Sequence, residues 1–222
     1  AVFLSRKIAN LNTGVIVQAR MSSKRLPEKI LKPISGRPML DYLMDRLKVF
    51  TGFAGIVVAT SQEPSDDVIE AYCNRRRINI YRGPLEDVAL RFRQIIQQYE
   101  FDHFVRICAD SPLIDPQIID KALSCYLKGG YDLVTNILDR TFPKGQSVEV
   151  IDSGIFCDAY EKFTKKGHFE HVARFFYENS ESFRILNITS DINLSDIQMS
   201  VDTPEDFLFI SHLIRDFNRG DK

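Results

Sequence analysis

Short runs rich in valine and isoleucine alternate with longer stretches of helical period through most of this sequence, and few folds satisfy such a rhythm. Gly14–Ala19 is an apolar run of strand length. Pro38–Phe50 follows, with Leu40, Leu43, Met44 and Leu47 at i, i+3, i+4, i+7 spacing, and Pro38 suits a first helical turn, where its missing N–H costs nothing. Gly55–Ala59, Ile78–Tyr81, His103–Cys108 and Tyr131–Leu138 are further strand candidates. Between them helices are expected over three segments. Ser65–Arg76 has Ser65 as N-cap, with Asp66 and Asp67 complementing the dipole. Pro84–Glu100 carries Leu85, Val88, Ala89, Phe92, Ile95, Ile96 and Tyr99 on one face. Pro116–Lys128 is stopped by Gly129 and Gly130.

Strands separated regularly by helices imply βαβ units and a mostly parallel sheet covered on both faces. From about residue 140 the rhythm loosens. Strands are expected at Ser147–Ile151 and Phe183–Ile188, and helices at Ser153–Phe163 and His168–Glu178. A last strand, Ile197–Val201, then feeds a helix from Pro204 to about Phe217. With no repeat, low-complexity tract or flexible linker, the expectation is an N-terminal extension over 1–13 and one α/β domain over 14–222, its loose middle part forming an insert or dimerisation arm.

Composition sets outer bounds. The 222 residues are 44% hydrophobic and 27% charged, enough for a sizeable core. A net charge of -1 favours neither nucleic acid nor an anionic membrane as partner, so any anion site must come from local clustering. Cys73, Cys108, Cys125 and Cys157 form no C-x-x-C pair, which argues against a zinc knuckle or a disulfide framework. Cys108 and Cys125 sit in apolar runs and read as buried thiols of a reduced, cytoplasmic protein. No apolar run approaches the roughly 18 to 20 residues of a membrane helix.

Ligands of open parallel sheets bind beyond the carboxyl ends of the strands, and three loops at that edge carry unusual chemistry. The first, Ala19 to Lys32, holds Arg20, Lys24, Arg25, Lys29 and Lys32 against one acid, Glu28. A solvated basic loop is the plain reading of any charge run. Placement directly after the first strand favours a triphosphate, whose oxygens guanidinium groups match bidentately. The loop contains neither a P-loop nor a G-x-G-x-x-G fingerprint. In the second loop, Arg106 to Pro116, Asp110 leaves a strand and suits magnesium, whereas Asp115 reads as the N-cap before Pro116. In the third, Ser200 to Asp206, Thr203 caps a helix that Pro204 opens, with Glu205 and Asp206 in its first turn. That leaves Asp202 free, and two carboxylates from separate strand ends can hold one or two magnesium ions between them.

Taken together, the three loops resemble the cytidylyltransferases that activate sugar acids, such as 3-deoxy-manno-octulosonate and N-acylneuraminate cytidylyltransferases, and most of all the spore-coat polysaccharide biosynthesis protein F branch. The likeness runs from about Gly14 to Asp216. It is carried by Val15–Arg20 with Ser23, Arg25-Leu26-Pro27 and Lys29, by Ala109–Pro112, by Arg140–Gly145 with Val148–Val150, by Glu170–Val172 and by Val201–Asp206. It implies a three-layer αβα nucleotidyltransferase fold, GT-A-like and Rossmann-like, with a mostly parallel central sheet. It also implies transfer of CMP from CTP to a sugar or sugar acid, with Mg2+ as cofactor and a homodimer as the working form. On this resemblance Arg20, Arg25 and Lys29 contact the triphosphate, Ser23 shapes the loop, Asp110 and Asp202 bind metal, and 140–190 borders the acceptor or the dimer contact. The catalytic set is Arg20, Lys29, Asp110 and Asp202.

Two positions depart from the pattern: Ala109 replaces a glycine, and Gln198-Met199 stand where the branch often has arginine followed by tryptophan or leucine. Alternatives stay open at this stage. A GT-A glycosyltransferase should show a D-x-D pair, and a sugar-1-phosphate nucleotidyltransferase a glycine-rich first loop; neither is present. A catalytically silent nucleotide binder has no need of both Asp110 and Asp202. His168 and His171, with Glu170 between them, are expected to face solvent or acceptor rather than a metal. His103 and His212 are expected to be structural or surface residues, and Phe169, Phe175, Phe176 and Tyr177 core or interface.

Overall fold

A computed structural model describes residues 12–50 and 52–220. Seven strands form one sheet in the order β5-β4-β1-β6-β8-β7-β9. They are β1 (Thr13–Gln18), β4 (Gly55–Ser61), β5 (Asn79–Gly83), β6 (His103–Cys108), β7 (Leu133–Thr135), β8 (Glu149–Asp152) and β9 (Ile185–Asn187). A two-stranded ribbon, β2 (Pro33–Ile34) with β3 (Arg37–Pro38), stands apart. Only β8 runs against its neighbours, pairing antiparallel with β6 and β7. The chain leaves β1 for β4 and β5 on one side and returns to β6 on the other, so the strand order reverses next to β1, where open α/β sheets bind their ligands.

β1 is apolar on both faces because both are covered. Val15 and Val17 join one core cluster with α1 (Met39–Leu47), α2 (Asp67–Arg76), α4 (Pro116–Leu127) and α8 (Pro204–Gly220). Ile16 joins the other, with α3 (Val88–Tyr99), α5 (Ser153–Tyr160) and α7 (Arg174–Glu178). The short α6 (Lys166–Glu170) lies against α3.

Several expected boundaries move. Thr13 already belongs to β1, and Asn12 donates to Asp102 Oδ2 at 2.8 Å, so the sheet starts inside the expected extension; residues 1–11 of that extension lie outside the described residues. Pro38 closes β3 and precedes α1 rather than opening it. Ser65 caps nothing: Pro64–Asp66 form a 3-10 turn, and α2 starts at Asp67. α3 begins at Val88, because the Asp87 side chain accepts from Leu90 N at 2.7 Å. The single helix expected over His168–Glu178 is split into α6 and α7 at His171, whose backbone is extended (φ -118, ψ 98). His168 turns inward. It is 3% exposed, with its ring beside Phe163 and Phe175 and Nε2 3.1 Å from Glu178, while His171 stays exposed. Phe176 is fully buried in the second core cluster.

The strand expected at Ile197–Val201 does not form. Its backbone makes one isolated bridge, Lys144 to Gln198, and a bond from Val201 N to Asp110 O, with no ladder along any strand. Ile197 is 44% exposed, and the segment crosses the strand ends instead of joining the sheet. The cysteines are all free, and Cys108 and Cys125 are half-buried rather than buried. Among the described residues no helix is long and apolar enough to cross a membrane.

At the opposite end of the sheet, Thr13 and His103 are register partners, with Oγ1 2.8 Å from Nε2. Burial pushes the His103 pKa below its ordinary 6.5, against weaker opposition from Asp102 and Asp152. The unfolded chain takes up this proton below about pH 6.5 and the folded chain resists it. The stability this contributes is therefore full above that pH and lost as pH falls through the lower folded value. The melting temperature is expected to fall from pH 7 to pH 5, and His103→Gln to flatten that fall. An equal slope in the variant would place the acid sensitivity elsewhere.

Candidate active site

The first loop is built inward from β1. Met21, Leu26 and Ile30 bury their side chains in the α1/α8 core, which leaves the charged residues between them on the outer edge. Glu28 takes φ +61, a left-handed turn that non-glycine residues adopt only at a cost of about 1 kcal/mol. The next residue, Lys29, opens a 3-10 turn and points its side chain into the protein.

Lys29 is the centre of the site. Its side chain is 10% exposed, and Nζ lies 3.0 Å from Asp110 Oδ2, 3.2 Å from Asp202 Oδ1 and 2.6 Å from the carbonyl of Val201. One ammonium thus holds two carboxylates that are 92 residues apart (202 − 110). Arg25 adds a second cation to Asp202, Nη2 to Oδ1 at 2.9 Å. Asp110 leaves β6 as read from the sequence. Asp202, however, leaves the crossing segment and not a strand. Its position is set by Val201 N donating to Asp110 O at 2.8 Å and by the contact of that segment with Lys144 and Gly145. Gly145 has φ +94, and a Cβ there would lie 2.4 Å from Ser200 N, so only glycine fits. The N-cap reading of Thr203 holds: Asp206 N donates to its Oγ1 at 3.2 Å, and Thr203 N donates to Asp206 Oδ2 at 2.8 Å. Asp115 likewise caps α4, accepting from Gln117 N at 2.8 Å.

A cavity of about 270 Å3 opens over this floor, and Arg20, Ser23, Lys24, Arg25, Asp110 and Asp202 all line it. Counting Lys29, four cations face two carboxylates, an excess of positive charge suited to a polyanion. Arg20 is exposed and makes no ion pair among the described residues. All six residues singled out in the sequence are therefore brought to one cavity.

The site also contains residues that sequence reasoning missed. Gln18 and Cys108 form the cavity floor on the α3 side of the sheet. Behind them Arg106 donates to Gln18 Oε1 at 3.0 Å and pairs with buried Glu149, which also accepts from Tyr177 Oη at 2.5 Å. The available signal was an arginine in the apolar strand His103–Cys108, which requires an acid on a neighbouring strand; Glu149 is its register partner.

Two carboxylates bridged by a small cation form a hard oxygen pair of the kind magnesium uses. No group of three or more histidine, cysteine or acidic residues placed to hold a metal ion together occurs among the described residues. Two carboxylates with the remaining ligands from phosphate and water are characteristic of magnesium, so the donor set fits.

A parallel sheet with a cation-rich first loop and two convergent carboxylates at its switch point defines a nucleotidyltransferase. A sequence model described as "Cytidylyltransferase" matches residues 14–178, and the chain belongs to that family. It is 32% identical over 205 residues to the uncharacterized protein MJ1063 of Methanocaldococcus jannaschii, covering 91% of this chain and 83% of that one. It is 29% identical over 205 residues to the spore coat polysaccharide biosynthesis protein SpsF of Bacillus subtilis, covering 89% and 84%. The solved structure of a cytidylyltransferase from Leptospira borgpetersenii superposes with a TM-score of 0.84 at 26% identity, covering 95% and 96%.

Proposed function

We propose that this enzyme transfers CMP from CTP to a hydroxyl of a sugar or sugar acid, releasing pyrophosphate, as a magnesium-dependent cytoplasmic homodimer that supplies surface polysaccharide or glycoconjugate synthesis. The observation that carries the reading is the Lys29 ammonium shared by Asp110 and Asp202 on the floor of a cation-lined cavity. The relation to SpsF supports the polysaccharide setting.

In this reading Arg20, Arg25 and Lys29 hold the β- and γ-phosphates, and Ser23 shapes the loop that presents them. The acceptor oxygen forms its bond to the α-phosphorus as the bond from that phosphorus to the pyrophosphate oxygen breaks, and the hydroxyl proton passes to solvent. Asp110 and Asp202 would hold Mg2+, which supplies neutralisation of charge on the α-phosphate and the departing pyrophosphate. Positioning and charge neutralisation do most of the work in such a transfer. An in-line transfer brings the acceptor in opposite the leaving pyrophosphate, hence from the Gln18 and Cys108 side, which the 140–190 segment borders through Glu149 and Tyr177.

Pyrophosphate release tests the reading, measured with CTP, UTP, ATP and GTP, Mg2+ and a pool of sugar acids and sugar phosphates. Release with CTP alone is expected. Release with another nucleotide alone would refute the base assignment. If none gives release and none raises the melting temperature at saturation, the cation-bearing loop has another purpose.

A further inference from the structure

Met21 is the hub of the cation-bearing loop. Its carbonyl accepts from Ser23 N at 2.9 Å and from Glu28 N at 3.0 Å, which closes residues 22–28 into a ring with Lys24 and Arg25 at its tip. Its own amide donates to Asp66 Oδ1 at 2.8 Å. Asp66 is fully buried, and its second oxygen accepts from Thr60 Oγ1 at 2.9 Å, Ser61 N at 3.0 Å and Ser61 Oγ at 2.5 Å. Four donors converging on one carboxylate suit its ionised, acceptor-only form and leave it a single orientation. The ordinary role of an acid at this place is to cap α2, and the Asp66 side chain makes no capping bond there.

Arg91, on the first turn of α3, is also fully buried, and none of its three guanidinium nitrogens has a hydrogen-bond partner among the described residues. Gly83 leaves room for it, since a Cβ there would lie 2.6 Å from Arg91 Cγ. Gly83 is also the register partner of Ser61, whose backbone N and hydroxyl donate to Asp66, so Arg91 lies beside the Asp66 network without a direct ion pair to it. Burial pushes its pKa down to about 10, with Asp66 the foremost opposing influence. A buried cation with no hydrogen-bonded partner is retained only where a nearby negative charge offsets it.

We propose that Asp66 is a positioning residue that tethers the cation-bearing loop through Met21, with Arg91 as its buried counter-charge. Its effect on CTP rests on the nucleotide reading above; the tether itself does not.

Limited trypsin digestion without nucleotide, followed by mass spectrometry, separates the two. Lys24 and Arg25 are exposed cleavage sites at the loop tip, and exposed Lys128, at the end of α4, serves as reference. Asp66→Asn keeps the shape but turns an amide N–H2 toward donors. It is expected to speed cleavage after Lys24 and Arg25 about tenfold, leave Lys128 unchanged, and weaken CTP·Mg2+ binding in calorimetry about tenfold. In the double variant D66L/R91M both buried charges are gone. It is expected to fold but to melt below wild type, since Met21 N and Ser61 N lose their acceptor, while the loop stays open and CTP binding stays weak. Unchanged cleavage at the loop in D66N, a parallel rise at Lys128, or wild-type CTP affinity in a folded D66L/R91M overturns the proposal. A loop loosened selectively in a protein that never binds CTP would support the tether and refute the nucleotide reading instead.

Discussion

Replacing Asp202 by alanine is expected to abolish pyrophosphate release and leave a folded protein. The fold does not depend on this side chain. Thr203 and Asp206 cap α8 between themselves, and the Asp202 backbone N–H is held by Asp206 Oδ2 at 3.0 Å, so the helix start survives the loss. Its pair with exposed Arg25 is worth about 1 kcal/mol or less, and Lys29 keeps Asp110 and the Val201 carbonyl as partners when Asp202 is lost. Chemistry is another matter. On the proposed reading only Asp110 would then remain to hold a metal against the α-phosphate, and loss of one preorganised charge at a reacting centre costs about a thousandfold in turnover. Asp202→Asn, which keeps the shape and removes the charge, should fail equally. The measurement is the pyrophosphate assay beside a circular dichroism melt. Turnover within tenfold of wild type would remove Asp202 from any metal role.

The parts legible in the sequence were those whose chemistry is local. β1 could be read because an apolar run with valines on one face and an isoleucine on the other fits a doubly covered strand. Thr203 and Asp115 could be read because a cap needs only its own helix. The cation-bearing loop could be read as a unit because its charges follow a strand directly. What failed depended on partners distant in sequence. Ile197–Val201 has strand composition, yet its backbone bonds go to Lys144 and Asp110 in loops beyond the strand ends, and those contacts place Asp202. β8 runs antiparallel, and its four residues carry no mark of direction. Asp66 looked like a helix-dipole acid because its spacing within the 64–76 segment is right for one. Its actual contact, Met21, lies 45 residues earlier. His168 showed the same limit: a histidine in a polar stretch, turned into the core by rings at Phe163 and Phe175.

Lys29→Met should be nearly as damaging as the loss of Asp202, and it tests a feature visible only in three dimensions. The ammonium occupies the space between Asp110 and Asp202, so in the free enzyme it competes with any metal for the same oxygens. Methionine keeps the length and apolar stem of the side chain but leaves Asp110 without its cation and Asp202 with Arg25 alone, a like-charge pair short of the charge between them. Two effects follow. Catalytic efficiency with CTP should fall by about a hundredfold or more, since the triphosphate contact that the proposed function gives Lys29 would be gone. Mg2+ alone, without nucleotide, should raise the melting temperature of the variant more than that of the wild-type protein, because only in the variant is the space between the two carboxylates free of the ammonium. A thermal shift titration with MgCl2 reads this without reference to turnover. Equal shifts in both proteins would mean that ammonium and metal do not share the carboxylates, and Asp110 with Asp202 would then be a structural clamp on Lys29 instead of a metal site.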